Sequence, residues 1–153
     1  MLLGRILLSS ADPDGAAQAY RKVLERGPTH RTARISLGMA HQRSERWDEA
    51  FAAFEEVLEN RPDDRHALYQ LGRTGALSGR NLERSEQALR SFIAGETDDD
   101  PKSYRGGALW RLGMVLEHRG DQDGARASYR KALERDPDLS DAREALQRLE
   151  RGS

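Results

Sequence analysis

Four histidines, His30, His41, His66 and His118, are the side chains best suited to hold a metal or move a proton. No two of them stand at i and i+4, and no His-Glu-x-x-His run occurs. A shared zinc-binding helical face is therefore not expected. Asp98-Asp99-Asp100 could attract a cation, but it lacks the spaced ligands and the glycine of a calcium loop. It reads better as a solvated helix start, where the helix dipole favours carboxylates. Asp12-Pro13-Asp14-Gly15 reads likewise as a turn leading into a helix. The chain has no cysteine, which excludes disulfides, thiolate metal sites and a cysteine nucleophile. No glycine-rich phosphate loop or nucleophile elbow is present. The many Glu and Arg stand at helical surface spacings and read as i, i+4 pairs. We expect no catalytic residue, no metal and no cofactor.

The elements that would position any site must come from a polar chain. Of 153 residues, 37% are apolar, 6% aromatic and 33% charged, which by itself borders on a disordered composition. The 25 Lys+Arg nearly cancel the 26 Asp+Glu, leaving a formal charge of -1. Neither a strongly basic nucleic-acid binder nor an acidic tail has that balance. Arg5, Arg43, Arg73 and Arg111 could form a basic stripe, yet the neutral total argues against nucleic acid. No apolar run approaches the roughly 18 residues of a membrane span. Only a regular pattern could give such a chain a core.

That pattern is a repeat. Leu3-Gly4, Leu37-Gly38, Leu71-Gly72 and Leu112-Gly113 are spaced by 34, 34 and 41 residues. Twelve residues after the glycine come Ala16 with Tyr20, Ala50 with Phe54, and Ala125 with Tyr129. Twelve further on stand Pro28, Pro62 and Pro137. Residues 65–105 depart: Gly75 and Ser85 replace the expected large residue and alanine, the proline is missing, and seven residues are inserted.

These markers resemble the tetratricopeptide repeat, a 34-residue helix-turn-helix unit. Residues 31–64 match it through Arg34, Leu37, Gly38, His41, Ala50, Phe54 and Pro62. Residues 106–139 match through Leu109, Leu112, Gly113, Leu116, Ala125, Tyr129, Ala132 and Pro137. The resemblance implies an all-α fold, a right-handed solenoid of helix pairs. One domain over 1–153 is expected: a truncated repeat at 1–30, repeats at 31–64, 65–105 (with the insertion) and 106–139, and a capping helix at 140–151. Helices are placed near 1–9, 13–27, 31–43, 46–60, 64–78, 82–95, 101–119, 121–135 and 140–151. Glycine at the eighth position would let paired helices approach, with Tyr or Phe at the twenty-fourth filling the space beside it. Asp100 is the expected N-cap of the seventh helix, with Pro101 as its first residue, and Ser140 the N-cap of the last. Gly106-Gly107 should kink or break the seventh. His41, at the large-residue position, is expected in the core. Met1-Leu2-Leu3-Gly4 begins part-way through a helix, as in a fragment of a longer array; a complete chain with a short first helix is the alternative.

The family's partner-binding face is lined by the first helix of each pair, at the second, fifth, ninth, twelfth and thirteenth positions. Carried over, the resemblance points to Ile35, Met39, Arg43, His66, Tyr69, Arg73, Leu77, Trp110, Met114 and His118. Aromatic, Met and Arg residues are enriched at interfaces. The implied function is a non-catalytic protein-interaction scaffold whose concave groove takes an apolar peptide or partner surface bearing an acidic group. The opposing reading packs Tyr69 and Trp110 against neighbouring helices. The positions that clamp a chaperone-tail carboxylate in some relatives read Ile35, Met39, Gln70, Gly107 and Arg111, without the required Lys and Asn. Self-association through the uncapped first repeat, or service as a regulatory segment of a larger protein, are the alternatives. The absence of a recognisable leader or apolar span points to the cytoplasm.

Overall fold

The computed structural model describes residues 12–97 and 101–152, and every described element is an α-helix or a turn. The expected first helix and the Asp98–Asp100 run lie outside the described residues. The chain divides into two compact units, the first ending at Thr74 and the second starting at Gly75.

The first unit holds α1 (Pro13–Arg26), α2 (Arg31–Arg43), α3 (Trp47–Asn60) and most of α4 (Arg65–Ser78). Asp12 caps α1 by accepting from the Gly15 N–H at 2.8 Å, with Pro13 following as the first helical residue. Helix α1 packs on α2 and α2 on α3. Ala16, Ala17, Tyr20, Ala33, Leu37 and Ala40 form a core between α1 and α2. His41 is buried there as expected, and burial, reinforced by Arg21, lowers its pKa and favours the neutral ring. The small residues have a steric cause. A Cβ at Gly38 would lie 2.6 Å from Cε1 of Phe54, whose ring is fully buried. Asp64 caps α4 by accepting from the Ala67 N–H at 3.0 Å and takes a two-pronged bond from Arg31. Burial works against its charge, but those bonds prevail and hold its pKa below the usual carboxylate value.

The second unit holds the end of α4, then α5 (Leu82–Ala94), α6 (Lys102–His118), α7 (Gln122–Arg135) and α8 (Ser140–Arg151). Each of α5, α6 and α7 packs on the helix that follows it. Gly113 abuts the ring of Tyr129 as Gly38 abuts Phe54. Asp121 caps α7 through the Gly124 N–H at 2.9 Å, repeating the Asp12 arrangement. Part of the insertion falls in α4, which has 14 residues against 13 in α2. Another part extends α6, whose 17 residues begin four before the repeat register.

Three local expectations are corrected. Helix α6 runs without a break through Gly106-Gly107. A Cβ at Gly106 would meet Cβ of Asp136 at 2.7 Å, so the glycine serves close packing on α7, and that packing outweighs its weak helix propensity. Helix α6 starts at Lys102, with Pro101 in the N-cap position and no capping side chain. Ser140 is the first residue of α8 rather than its cap, which is Leu139.

Candidate functional site

In the second unit a cleft of about 1030 Å³ opens between the end of α4, α6 and α8. Leu77, Trp110, Met114 and His118 line it, and these are all four of the expected site residues that belong to this unit. Leu77 is 40% exposed, a large apolar surface with nothing covering it. Positions i, i+4 and i+8 of α6 place Trp110, Met114 and His118 along one stripe. His118 Nε2 lies 3.1 Å from the Ala76 carbonyl oxygen in the last turn of α4, which fixes the imidazole at the rim. The guanidinium of Arg111 sits 3.8 Å from the centre of the Trp110 ring, and Arg111 also reaches the Met114 sulfur at 3.3 Å. Trp110 therefore packs against a cation on one side, yet it still contributes to the cleft.

The far wall is α8, which supplies Asp141, Glu144, Ala145, Arg148 and Arg151. Glu117 anchors it. Arg148 donates to both Glu117 oxygens at 2.5 and 2.9 Å, and the Tyr129 hydroxyl donates to one of them at 2.9 Å. The Arg148 pair first, and then the phenol, hold the Glu117 carboxyl below its usual pKa despite partial burial. Burial, followed by the neighbouring carboxylate, pushes the Tyr129 phenol up, so it stays a donor. Three helices thus meet at one carboxylate.

Tyr129, Arg111 and the α8 residues were not among the expected site residues. The signal was in the register. Ser140 stands 34 residues after Gly106, so α8 is itself a first-type helix, and Asp141, Glu144, Arg148 and Arg151 are its second, fifth, ninth and twelfth positions. The rule that pointed to Trp110 and Met114 names them when carried one unit further.

In the first unit the expected residues are divided. Ile35 is only 2% exposed and presents no open surface, which corrects its assignment to a groove. Met39, His66, Tyr69 and Arg73 are half-buried and Arg43 is exposed. Burial, then Arg31, lowers the His66 pKa and favours the neutral ring. Arg73 donates to the Gln42 side-chain oxygen at 2.8 Å, while the Gln42 amide donates to Thr74 Oγ1 at 2.7 Å and to the Gln70 carbonyl at 3.0 Å. Gln42 and Thr74 are buried, so this network ties α2 to α4. Arg73 makes no carboxylate pair among the described residues. No cluster of three or more His, Asp or Glu placed to hold a metal occurs among the described residues. No helix there is long and apolar enough to cross a membrane.

Profiles described as tetratricopeptide repeat match residues 1–64 and 35–103, and another matches 106–139. The cellulose synthase operon protein C of Pseudomonas fluorescens (strain SBW25) is 31% identical over 141 residues, covering 89% of this chain and 10% of that protein. The chain thus spans about a tenth of that relative's length. A crystal structure of MamA matches with a TM-score of 0.83 at 24% identity, covering 99% of this chain and 85% of that one. MamA 41-end from Desulfovibrio magneticus RS-1 matches at 0.82 and 18% identity, covering 95% and 78%. The first TPR of Spaghetti (RPAP3), bound to HSP90 peptide SRMEEVD, matches at 0.68 and 16% identity, covering 80% and 91%. At these identities the likeness shows the fold, an all-α helical-repeat solenoid.

Proposed function

The chain belongs to the tetratricopeptide repeat family, and from that premise we propose that it is a non-catalytic scaffold docking a protein or peptide in the cleft along α6. One observation carries the reading. Four residues picked from repeat register alone, Leu77, Trp110, Met114 and His118, line a single open cleft that presents uncovered apolar surface. A surface of this kind is where an apolar side chain of a partner gains most by leaving water. The peptide bound to the Spaghetti (RPAP3) repeat supports the mode on the same fold, as a property of that protein. Met39, Arg43, His66, Tyr69 and Arg73 form a second contact zone in the first unit, where the Arg73 charge suits an acidic group. Recognition of a chaperone tail is not part of the proposal, because Gln70 and Gly107 are buried at two of the positions that would clamp it. The far longer relative favours a setting in which this scaffold is a segment of a larger protein.

The test is selection of peptides from a random display library on the folded chain, followed by titration of the selected peptides. The variant Trp110→Ala with Met114→Ala, checked for unchanged helicity by circular dichroism, should weaken them at least about tenfold, as removal of two anchor residues does. Selected peptides that bind the variant as tightly as the parent would place binding elsewhere.

A further inference from the structure

The charges of the cleft are arranged with a direction along α8. Six charged side chains line it: Arg111, Arg148 and Arg151 against Glu117, Asp141 and Glu144. Arg148 and Glu117 neutralise each other in their two-pronged bond, while Arg111 keeps its charge on the α6 wall, held over Trp110. Asp141, Glu144 and Arg151 remain on α8, and their side chains make no ion pair among the described residues. The two acids sit on the N-terminal half of α8 and the arginine at its C-terminal end. At 1.5 Å per residue, Arg151 lies about 10 Å from Glu144 and about 15 Å from Asp141 along the helix axis. Ala145 stands between these two ends, a small residue opposite the apolar Trp110 and Met114 on α6.

We propose that this cleft selects a dipolar peptide segment, in which a basic and an acidic side chain stand four residues apart around a central apolar one. The proposal rests on the docking reading above and adds the chemistry of the ligand. Four residues of extended chain span about 13 Å, which falls between the two distances along α8. The basic group then meets Asp141 and Glu144, the acidic group meets Arg151, and the apolar side chain passes Ala145 to reach Trp110, Met114 and Leu77. A ligand with two acids would bring one of them against Asp141 and Glu144. A ligand with two bases would bring one against Arg151. Either mismatch costs affinity by like-charge contact.

The experiment titrates the labelled full chain, followed by amide NMR shifts of α6 and α8, with three end-capped peptides. They are Gly-Lys-Ala-Leu-Ala-Glu-Gly, the same peptide with Glu at both charged places, and the same with Lys at both. The dipolar peptide should bind roughly five- to tenfold more tightly than either, the scale of two or three rim ion pairs. Asp141→Asn with Glu144→Gln should erase the penalty on the two-Glu peptide, and Asp141→Lys with Glu144→Lys should make it the preferred one. Equal binding of all three would overturn the proposal while leaving the docking reading intact. Binding of none, while display-selected peptides still need Trp110 and Met114, would do the same. Concentration-dependent dimerisation that excludes the peptides from α6 and α8 would assign the cleft to a second copy and overturn it too.

Discussion

Gly38→Ala isolates the contact on which the helix pairing turns. Gly38 lies inside α2, where alanine is intrinsically favoured over glycine by about 1 kcal/mol. Propensity alone therefore says that the substitution stabilises. The structure says the opposite. The new Cβ would lie 2.6, 2.7 and 3.1 Å from Cε1, Cζ and Cδ1 of Phe54, where carbon contacts need about 3.5 Å or more. The Phe54 ring is fully buried and cannot withdraw into solvent, so relief requires the helices to part or the ring to leave its rotamer. Such overpacking costs typically 1–3 kcal/mol; contacts this short against a fixed ring put it in the upper part of that range, about 2–3 kcal/mol, and after the propensity gain a net loss of about 1–2 kcal/mol follows. For a chain of this length that is a fall in Tm of about 2–8 °C. Urea and thermal unfolding followed by far-UV circular dichroism would measure it. Gly27→Ala is the control, because a Cβ there would have nothing nearer than 3.9 Å, and it should change stability little. In a Phe54→Leu background the slimmer side chain should make Gly38→Ala neutral or stabilising. A Gly38→Ala protein that is more stable than the parent, with Phe54 in place, would refute the steric account.

Ser85 is fully buried and its hydroxyl finds no partner, so Ser85→Ala should raise stability by about 1 kcal/mol in the same melts. Gln42→Ala removes the centre of a buried network, leaving the Thr74 hydroxyl only its bond to the Gln70 carbonyl and taking the side-chain acceptor from Arg73; a loss of about 1–2 kcal/mol in urea unfolding is expected. Glu117 has a depressed pKa in the folded chain, so its stabilisation is present above the unfolded glutamate value and is lost as pH falls below it. Hydrogen exchange of the α8 amides should accelerate as pH is lowered through the acid range, after correction for intrinsic rates, and Glu117→Gln should flatten that dependence. Arg148 is 58% exposed, so the effect should be modest, about 0.5–1 kcal/mol.

The sequence carried the helix pairs because spacing reports sterics directly. A Leu-Gly pair with an aromatic sixteen residues after the glycine means one helix lying against another, and Gly38–Phe54 and Gly113–Tyr129 are those contacts. The helix ends were less legible, since Asp12, Asp64 and Asp121 cap through their carboxylates whereas Pro101 and Leu139 hold the same place with no side-chain bond. Gly106-Gly107 misled because a residue's helix propensity says nothing of a neighbour such as Asp136 that leaves no room for a Cβ. Ile35 misled for a related reason: register gives the face a side chain points to, and burial depends on what else covers that face. The cleft was half legible, because its α4 and α6 wall follows repeat positions while α8 reads at first sight as a plain amphipathic cap.

The irregular repeat shows what the pattern protects. Elsewhere a large residue (His41 or Leu116) stands at the eleventh position and a small one (Ala50 or Ala125) at the twentieth. In residues 65–105 the first is Gly75 and the second is Ser85. The structure places them against each other: Ser85 Oγ and Cβ fill the space where a Gly75 side chain would be, with the Arg80 carbonyl oxygen 3.1 Å away. A residue with no side chain on one helix is what lets the serine pack on its partner, so the close contact is kept while both consensus residues are lost. The two positions should therefore be coupled. Gly75→Ala in the parent forces a shift against backbone as well as side chain, and Ser85→Ala should remove only part of that penalty, because the Cβ of residue 85, 2.4 Å from the new atom, and the Arg80 carbonyl both remain. A double-mutant cycle would then return a coupling of about 0.5–2 kcal/mol, and additivity of the two changes would show that the pair does not share one space.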